Sequence, residues 1–469
     1  MEAPQRIIHR VVASFTPGLT VCLRGDLPQQ VPAYTPRELG IAFHSTIGLL
    51  SYLNTQLSKE LLDNNQAASR IYTSSISGDS FLNQTDSFGL LRGKHIDLAV
   101  IEAHQVTSIG DLLVSSSDLK RTSPSPEDII DIVSGARYVI ATLAHTSADG
   151  SSNIVYQSNH GMTGKPCINL IISELAVIEI TEEGLVLKEV APGHTVEEVQ
   201  KATDPPLIMS PDLKDMILDP PSKSLVSKVY PNANQAVRDM NDGAILMIDG
   251  FGGVGGIPHY LMVALRDQGT KNLTLVSNTA GIARVMSFGS PEGMLPIDHS
   301  ILVDNGQIKK AIASFPISPS PSRPSSFELA FQRGEVEIEL VPQGTLAERI
   351  RAGGYGITAF YTPTGVGTPI SEGKETRAIN GREYILEKAI RADFALIRAS
   401  KSDTHGNLVY NGTSRNFNGP MATAASITIA EVDEIVEAGQ LDPENIITPG
   451  VFVQRIVQRP KHFSPYADY

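Results

Sequence analysis

The stretch Phe43-His44-Ser45-Thr46-Ile47-Gly48-Leu49-Leu50-Ser51 places an imidazole, hydroxyls and a glycine between apolar residues. Such a run predicts a strand that breaks at Gly48 into a tight turn and holds one side chain up. The run itself leaves open which side chain is held up, and a hydroxyl such as that of Thr46 is a weak nucleophile unless a base takes its proton. His44 lies two residues away and would face the same side of a strand, so a Thr–His pair competes with a purely structural histidine. The second chemical stretch is DGAILMIDGFGGVGGIPHYLMVALRDQG, residues 242–269. An apolar strand from Ala244 to Ile248 runs into Gly250, Gly252, Gly253, Gly255 and Gly256, and Pro258 then opens a helix that Gly269 closes. Glycines let backbone N–H groups converge, and the helix N-terminus adds partial positive charge, which suits a phosphate, a carboxylate or a developing oxyanion. The spacing is not GxGxxG with an acid on the next strand, so a dinucleotide loop ranks below these. Close packing alone is the bland alternative.

These residues need elements to hold them. GLTVCL, IDLAVIEAHQV, ARYVIATLAH and CINLIISELAVIEI read as strands in the first half, and AILMID, LTLVSN, EVEIELV and FALIRAS in the second. Strands interleaved with amphipathic stretches predict an α/β protein with mainly parallel, doubly covered sheets. Residues 204–229 carry two Pro-Pro pairs among Ser, Asp and Lys and read as a linker. It divides the chain into domains of 1–218 and 219–469. FPISPSPSRPSSF, residues 315–327, reads as a solvated loop within the second.

With 41% hydrophobic and 19% charged residues over 469, the chain can bury sizeable cores. A net charge of -13 argues against a nucleic-acid binder that relies on a basic face. Cys22 and Cys167 lack any paired spacing, which fits a reducing compartment and no metal centre. No apolar run reaches the roughly 20 residues of a membrane span. The expected location is the cytoplasm, with the mitochondrial matrix second because the start is short and weakly basic.

Taken with its neighbours, the glycine loop resembles the first subunit of the family I CoA transferases, the succinyl-CoA:3-oxoacid type. The family's GGF place reads Asp249-Gly250-Phe251, and one extra glycine precedes Gly256-Ile257-Pro258. The likeness continues through LVSNTAG (275–281), VPQGTLAERIRAGGYGITAFYTPTGVGT (341–368) and REYILEKAIRADFALIRASKSDTHGNLVYNGTSRNFNGPMATAA (382–425). The first half resembles the other subunit through DSFGLLRGKHIDLAVIEAHQV (86–106), GDLL (110–113), MTGKPCINLIISELAV (162–177) and KEVAPGHTVEEVQKATDPPLIMSPDL (188–213). The resemblance implies two α/β domains, a fusion of both subunits with the second-subunit half first, and one active site built by both. It implies CoA esters and small organic acids as substrates, no permanently bound cofactor, and a homo-oligomer such as a homodimer.

In that family a glutamate attacks the thioester and forms a mixed anhydride, and the CoA thiolate converts it to a glutamyl-CoA thioester. The glutamate sits in a stretch of the form Leu/Phe-His/Gln-Ser-Glu-Asn-Gly, so Thr46 replaces the carboxylate and Ile47 the asparagine. A threonyl ester would be too stable for an acceptor acid to reopen. By the same register Asp128, in PSPEDIIDIV, falls on a glycine that supplies an oxyanion N–H, where a carboxylate would repel developing charge. Two glycines of the family's NLGIGIP turn are lost in Cys22-Leu23-Arg24-Gly25-Asp26-Leu27-Pro28. Asn278 falls on the family's oxyanion asparagine, and Gln343, followed by Gly344, on a glutamine that meets the substrate carboxylate. The expectation is a CoA-transferase relative with impaired glutamyl-CoA exchange. The alternatives are a non-catalytic binding or regulatory partner of an active relative, and acyl transfer or hydrolysis by another nucleophile. Asp26 and Glu38 are nearby acids in sequence, while His104 and His145 read as core or loop residues.

Overall fold

A computed structural model describes residues 1–45, 49–51, 79–113, 126–157, 166–251, 256–283, 285, 291–292 and 294–467. Two compact units divide between Val226 and Ser227, a few residues beyond the division at 218/219 read from the proline pairs.

Unit 1 is built on a ten-stranded sheet. Its strands are β1 (Thr20–Arg24), β2 (Ala42–Ser45), β3 (Leu49–Ser51), β4 (Asp79–Phe81), β5 (Leu98–Glu102), β6 (Tyr138–Thr142), β7 (Leu170–Ile172), β8 (Ala176–Thr181), β9 (Gly184–Val190) and β10 (Leu207–Asp215). Across the sheet they run β10-β9-β8-β7-β6-β5-β1-β2-β3-β4. The central strands are parallel, and antiparallel pairs lie on both flanks. Helix α1 (Ala3–Ala13) lays Ile7, Ile8, Val11 and Val12 into a core with Val21, Val100 and Ile140. These apolar residues recur at helical spacing, so one face of the helix is spent on the sheet.

Two elements differ from the sequence reading. CINLIISELAVIEI is a hairpin: Ser173 takes Leu175 and Ala176 N–H on its hydroxyl and turns the chain back, so β7 and β8 pair antiparallel. The linker-like passage contains β10, a nine-residue strand parallel to β9. Pro211 disguises it, yet β10 ends the sheet, and proline is tolerated on an edge strand where no ladder N–H is required.

Unit 2 holds β11 (Val229–Tyr230), β12 (Ile245–Ile248), β13 (Leu273–Thr279), β14 (Ile308–Phe315), β15 (Glu337–Leu340), β16 (Ala392–Asp403), β17 (Ala425–Val436) and β18 (Arg455–Gln458). Their order is β11-β18-β17-β16-β12-β13-β14-β15, every neighbouring pair parallel. Leu246, Ile248, Leu275, Leu396 and Ile429 meet in its core. The proline-serine passage after β14 leads into a helix at Ser326–Gln332 opened by a capping box of Ser325 and Glu328.

Both sheets reverse direction at one strand. From β1 the chain steps to β2 on one side, and later strands β5, β6 and β7 lie on the other. From β12 it steps to β13 and β14, while β16, β17 and β18 lie opposite. In open α/β sheets the crevice beyond the strands' carboxyl ends at such a reversal is where ligands bind. That crevice opens between β1 and β5 in unit 1, and between β12 and β16 in unit 2.

Candidate active site

The glycine loop leaves β12 at the reversal point of unit 2. Its first residue, Asp249, is fully buried and forms the base of the loop. Phe251 N–H donates to Asp249 Oδ1 at 2.7 Å, and Asn418 Nδ2 donates to Oδ2 at 3.0 Å. The same Asn418 nitrogen donates to the carbonyls of Gly256 and Ser414. Asp249 and Asn418 therefore clasp both described ends of the loop. Burial pushes the Asp249 carboxyl up to about 8, against the opposing pull of backbone N–H groups including that of Phe251.

Gly250 is required by contact. A Cβ there would lie 2.7 Å from Thr279 Oγ1 and 2.8 Å from both Ser277 Oγ and His299 Cε1. Ser277 and His299 are joined at 3.1 Å beneath it. Gly256 is close-packed too, with a Cβ position 2.9 Å from Phe251 O. Gly252, Gly253 and Gly255 lie outside the described residues. Phe251 is 43% exposed, so the loop carries an aromatic ring outward from a polar base.

Helix α2 (Pro126–Gly135) belongs to unit 1, and α3 (His259–Gln268) follows the glycine loop in unit 2. Gly269 ends α3 in the left-handed conformation at φ +77. The N-terminus of α3 differs from the sequence expectation, because two of its donors are already used. Tyr260 and Leu261 N–H donate to Glu431 Oε2 at 2.8 and 3.2 Å. Glu431, on β17, is fully buried, and its Oε1 lies 3.7 Å from Arg398 Nε and 3.9 Å from Arg459 Nε. Burial raises the Glu431 carboxyl to about 7, against Arg398, Arg459 and the two N–H groups. His259 stands at the start of α3 with neither ring nitrogen hydrogen-bonded, and burial with nearby Arg459 and Arg398 lowers it to about 3. A carboxylate does sit at this helix end, as the oxyanion logic requires, but it is the protein's own.

Asn278 lies next to last on β13, only 4% exposed, and its Oδ1 has no hydrogen-bond partner. A buried amide oxygen left without a donor beside a reversal point can accept a hydrogen bond from a ligand N–H or O–H. Gln343 opens helix α4 (Gln343–Gly354) and is exposed, as is Gly344. Gly344, Thr345, Tyr361, Thr362 and Thr364 line a cleft of about 420 Å³. β15, which leads to Gln343, is three strands from β12, so Gln343 serves a different part of the carboxyl edge from Gly250.

In unit 1, Thr46 lies outside the described residues, so neither its placement nor a Thr46–His44 pair is described. His44 itself is 2% exposed, with Nε2 at 2.9 Å from Ser87 Oγ, and burial lowers it to about 4. His145 is fixed between Ser173 Oγ (2.7 Å) and Thr203 Oγ1 (2.9 Å), and burial lowers it to about 4 as well. Both are neutral core histidines. Asp128 is the third residue of α2, in its first turn. Asp26, Glu38 and His104 are exposed. Sequence reasoning noted Asp249 only as a motif position and passed over Asn418, Glu431, Arg398 and Glu102. The signal for the acids was present, since each stands within or at the end of an apolar strand.

The family follows from comparison with known proteins. A family model described as Coenzyme A transferase matches residues 6–202 and 230–459. The chain belongs to the coenzyme A transferase family. It is 49% identical over 232 residues to one subunit of a probable succinyl-CoA:3-ketoacid coenzyme A transferase of Bacillus subtilis, across 50% of this chain and 90% of that one. It is 46% identical over 233 residues to one subunit of the 3-oxoadipate CoA-transferase of Pseudomonas putida, across 50% and 94% respectively. Among solved structures, an acyl-CoA transferase of E. coli O157:H7 in thioester complex with CoA aligns at a TM-score of 0.44 and 22% identity, across 50% of each chain. The glutaconate coenzyme A-transferase of Acidaminococcus fermentans aligns at 0.43 and 19%, across 50% of this chain and 76% of that one. Among the described residues no group of His, Cys, Asp or Glu is arranged to hold a metal ion, and no helix is long and apolar enough to cross a membrane.

Proposed function

We propose that this coenzyme A transferase binds acyl-CoA esters and short organic acids of the 3-oxoacid type. Both family subunits are fused in it, the second-subunit half first, with domains of 1–218 and 219–469. Glutamyl-CoA exchange through position 46 is impaired, because Thr46 cannot form an intermediate as activated as a thioester. The observation that carries the acyl-CoA reading is the clasped glycine loop with the unsatisfied, buried Asn278 on the next strand. Loop N–H groups are assigned as donors for a thioester or carboxyl oxygen, and Asn278 Oδ1, an acceptor, is assigned to a ligand N–H or O–H. Gln343, exposed at the start of α4, is assigned to the acid's carboxylate. The matches of the family model in both halves support the fusion.

Titration calorimetry tests this reading. Saturable binding of succinyl-CoA and of acetoacetyl-CoA is expected for the wild type. Gln343→Ala is expected to weaken succinyl-CoA, which carries a free carboxylate, by about tenfold, the value of one charge-assisted hydrogen bond, and to leave acetoacetyl-CoA, which carries none, little changed. No heat with either ester would leave the fold without the ligand proposed for it, and the non-catalytic partner reading would then replace this one.

A further inference from the structure

Unit 2 also holds a small antiparallel sheet of three strands, in the order Ala359–Thr362, Arg382–Lys388 and Thr376–Ile379. Its two faces have opposite characters. On the middle strand Ile385 and Glu387 are buried, and Glu387 binds Lys374 at 2.5 Å and lies 3.8 Å from Arg349 of α4. That face is closed by packing and ion pairs. Arg382, Tyr384, Leu386 and Lys388 alternate with those residues and fall on the other face. Pairing sets Arg377 opposite Tyr384, and Tyr361 opposite Leu386, on the same side. The Arg377 guanidinium stands 5.9 Å from the centre of the Tyr361 ring, and that of Arg382 stands 5.8 Å from the Tyr384 ring. Glu375, the acid beside them, accepts the Tyr361 hydroxyl. Arg377, Arg382 and Lys388 are exposed, and none of the three is ion-paired among the described residues. On a chain with a net charge of -13, this open face reverses the sign. Tyr361 and Thr362, on an edge strand of the sheet, also line the cleft of about 420 Å³ with Gly344. The face therefore runs into that cleft.

We infer that this face holds the nucleotide end of the CoA ester. The inference rests on the proposed handling of acyl-CoA and adds the place where the carrier is recognised, wholly within unit 2. That end of CoA joins an adenine ring to several phosphates. Adenine stacks on aromatic rings and on guanidinium planes, and this face alternates the two. Phosphates take guanidinium N–H groups in pairs, which Arg377 and Arg382 supply, and the Lys388 ammonium adds a third positive charge. The combination narrows the ligand class. A neutral metabolite gains nothing from three cations, and a plain dianion gains nothing from the two rings. A long polyanion such as single-stranded RNA is opposed by the net charge of the chain. The buried face, pinned to α4 through Glu387 and Arg349, keeps the three strands in place as the ligand docks.

The test is binding of succinyl-CoA and of adenosine bisphosphate to the full-length chain, at low and high salt. The double variant Arg377→Gln, Arg382→Gln is expected to weaken succinyl-CoA by more than about tenfold. Tyr384→Ser is expected to cost about tenfold through lost stacking. High salt should weaken the wild type more than the arginine variant, since exposed charges are screened. Adenosine bisphosphate should compete with succinyl-CoA on the wild type. Succinyl-CoA that binds the arginine variant as tightly as the wild type, or bisphosphate that does not compete, would overturn the assignment of this face and leave the acyl-CoA reading standing. Bisphosphate binding without any succinyl-CoA binding would overturn the acyl-CoA reading instead, and wild type that binds neither would end both. Photolabelling of the wild type with an azidoadenine analogue of CoA should mark residues 359–362 or 376–388. Label elsewhere contradicts the assignment even if a variant fails to fold.

Discussion

Gly250→Val is expected to weaken acyl-CoA binding by about 100-fold, the scale of an ångström-sized misplacement at a site, and to destabilise unit 2 by about 3 kcal/mol through overpacking. Ser277, Thr279 and His299 all stand within 2.8 Å of the Cβ position, and all three are buried. None is the free end of a long side chain, so the strain falls on the backbone of residues 249–251. Moving that backbone strips Phe251 N–H from Asp249 and loosens the clasp that Asn418 makes with Gly256. Gly344→Ala is the control for stability alone, since Gly344 lines the cleft. Its Cβ would meet nothing within 4 Å, and the position is helical, so a gain of a few tenths of a kcal/mol is expected there. Urea unfolding and calorimetry on the two variants separate the outcomes. Equal behaviour would mean that the loop tolerates displacement and that its clasp is irrelevant to the ligand.

Arg398→Met is expected to destabilise unit 2 by about 3–5 kcal/mol near neutral pH, the usual loss when one partner of a buried pair is removed. Arg398 bonds Asp433 at 2.5 Å, donates to the carbonyls of Ala399 and Glu431, and lies beside the Glu431 carboxylate. Without it, Glu431 keeps the Tyr260 and Leu261 N–H groups and the more distant Arg459. Its carboxyl, already raised to about 7 by burial, moves higher still. A carboxyl raised in the folded state contributes stability that is fully present below its unfolded pKa of 4.5 and is lost as pH rises through the folded value. The gap between wild type and variant should therefore be smallest near pH 5 and widen to pH 8. Adding Glu431→Gln should flatten that dependence. A gap independent of pH would show that Arg398 acts by packing alone.

The parallel α/β architecture was legible because its central strands are short β-branched runs bounded by turn residues. The loop from β12 to α3 could be read with its glycine end-stop, since proline and glycine act locally. What hid was what depends on contacts far apart in sequence. β10 carries a proline and polar residues, and only its place at the sheet edge makes it a strand. The α3 N-terminus looked open because Glu431, more than a hundred residues later, cannot be placed on it from local pattern. Gly250 was noted as one glycine among five, whereas its reason is the packing of β13 and His299 beneath it. Glu102 was read as part of a strand; parallel pairing of β5 with β1 sets it beside Gly25, where its carboxylate braces the turn through Leu27 N–H. Position 46 was read by resemblance alone, and the described residues do not extend to it.

The most direct measurement is the rate of succinyl-CoA:acetoacetate exchange in wild type and Thr46→Val, with purified full-length chains. If position 46 is no longer the nucleophile, both proteins exchange at the same rate within about twofold, below the ordinary range of roughly 1 to 10³ per second. A wild-type rate inside that range that falls by about 100-fold or more in Thr46→Val would contradict the proposal and return the chemistry to position 46.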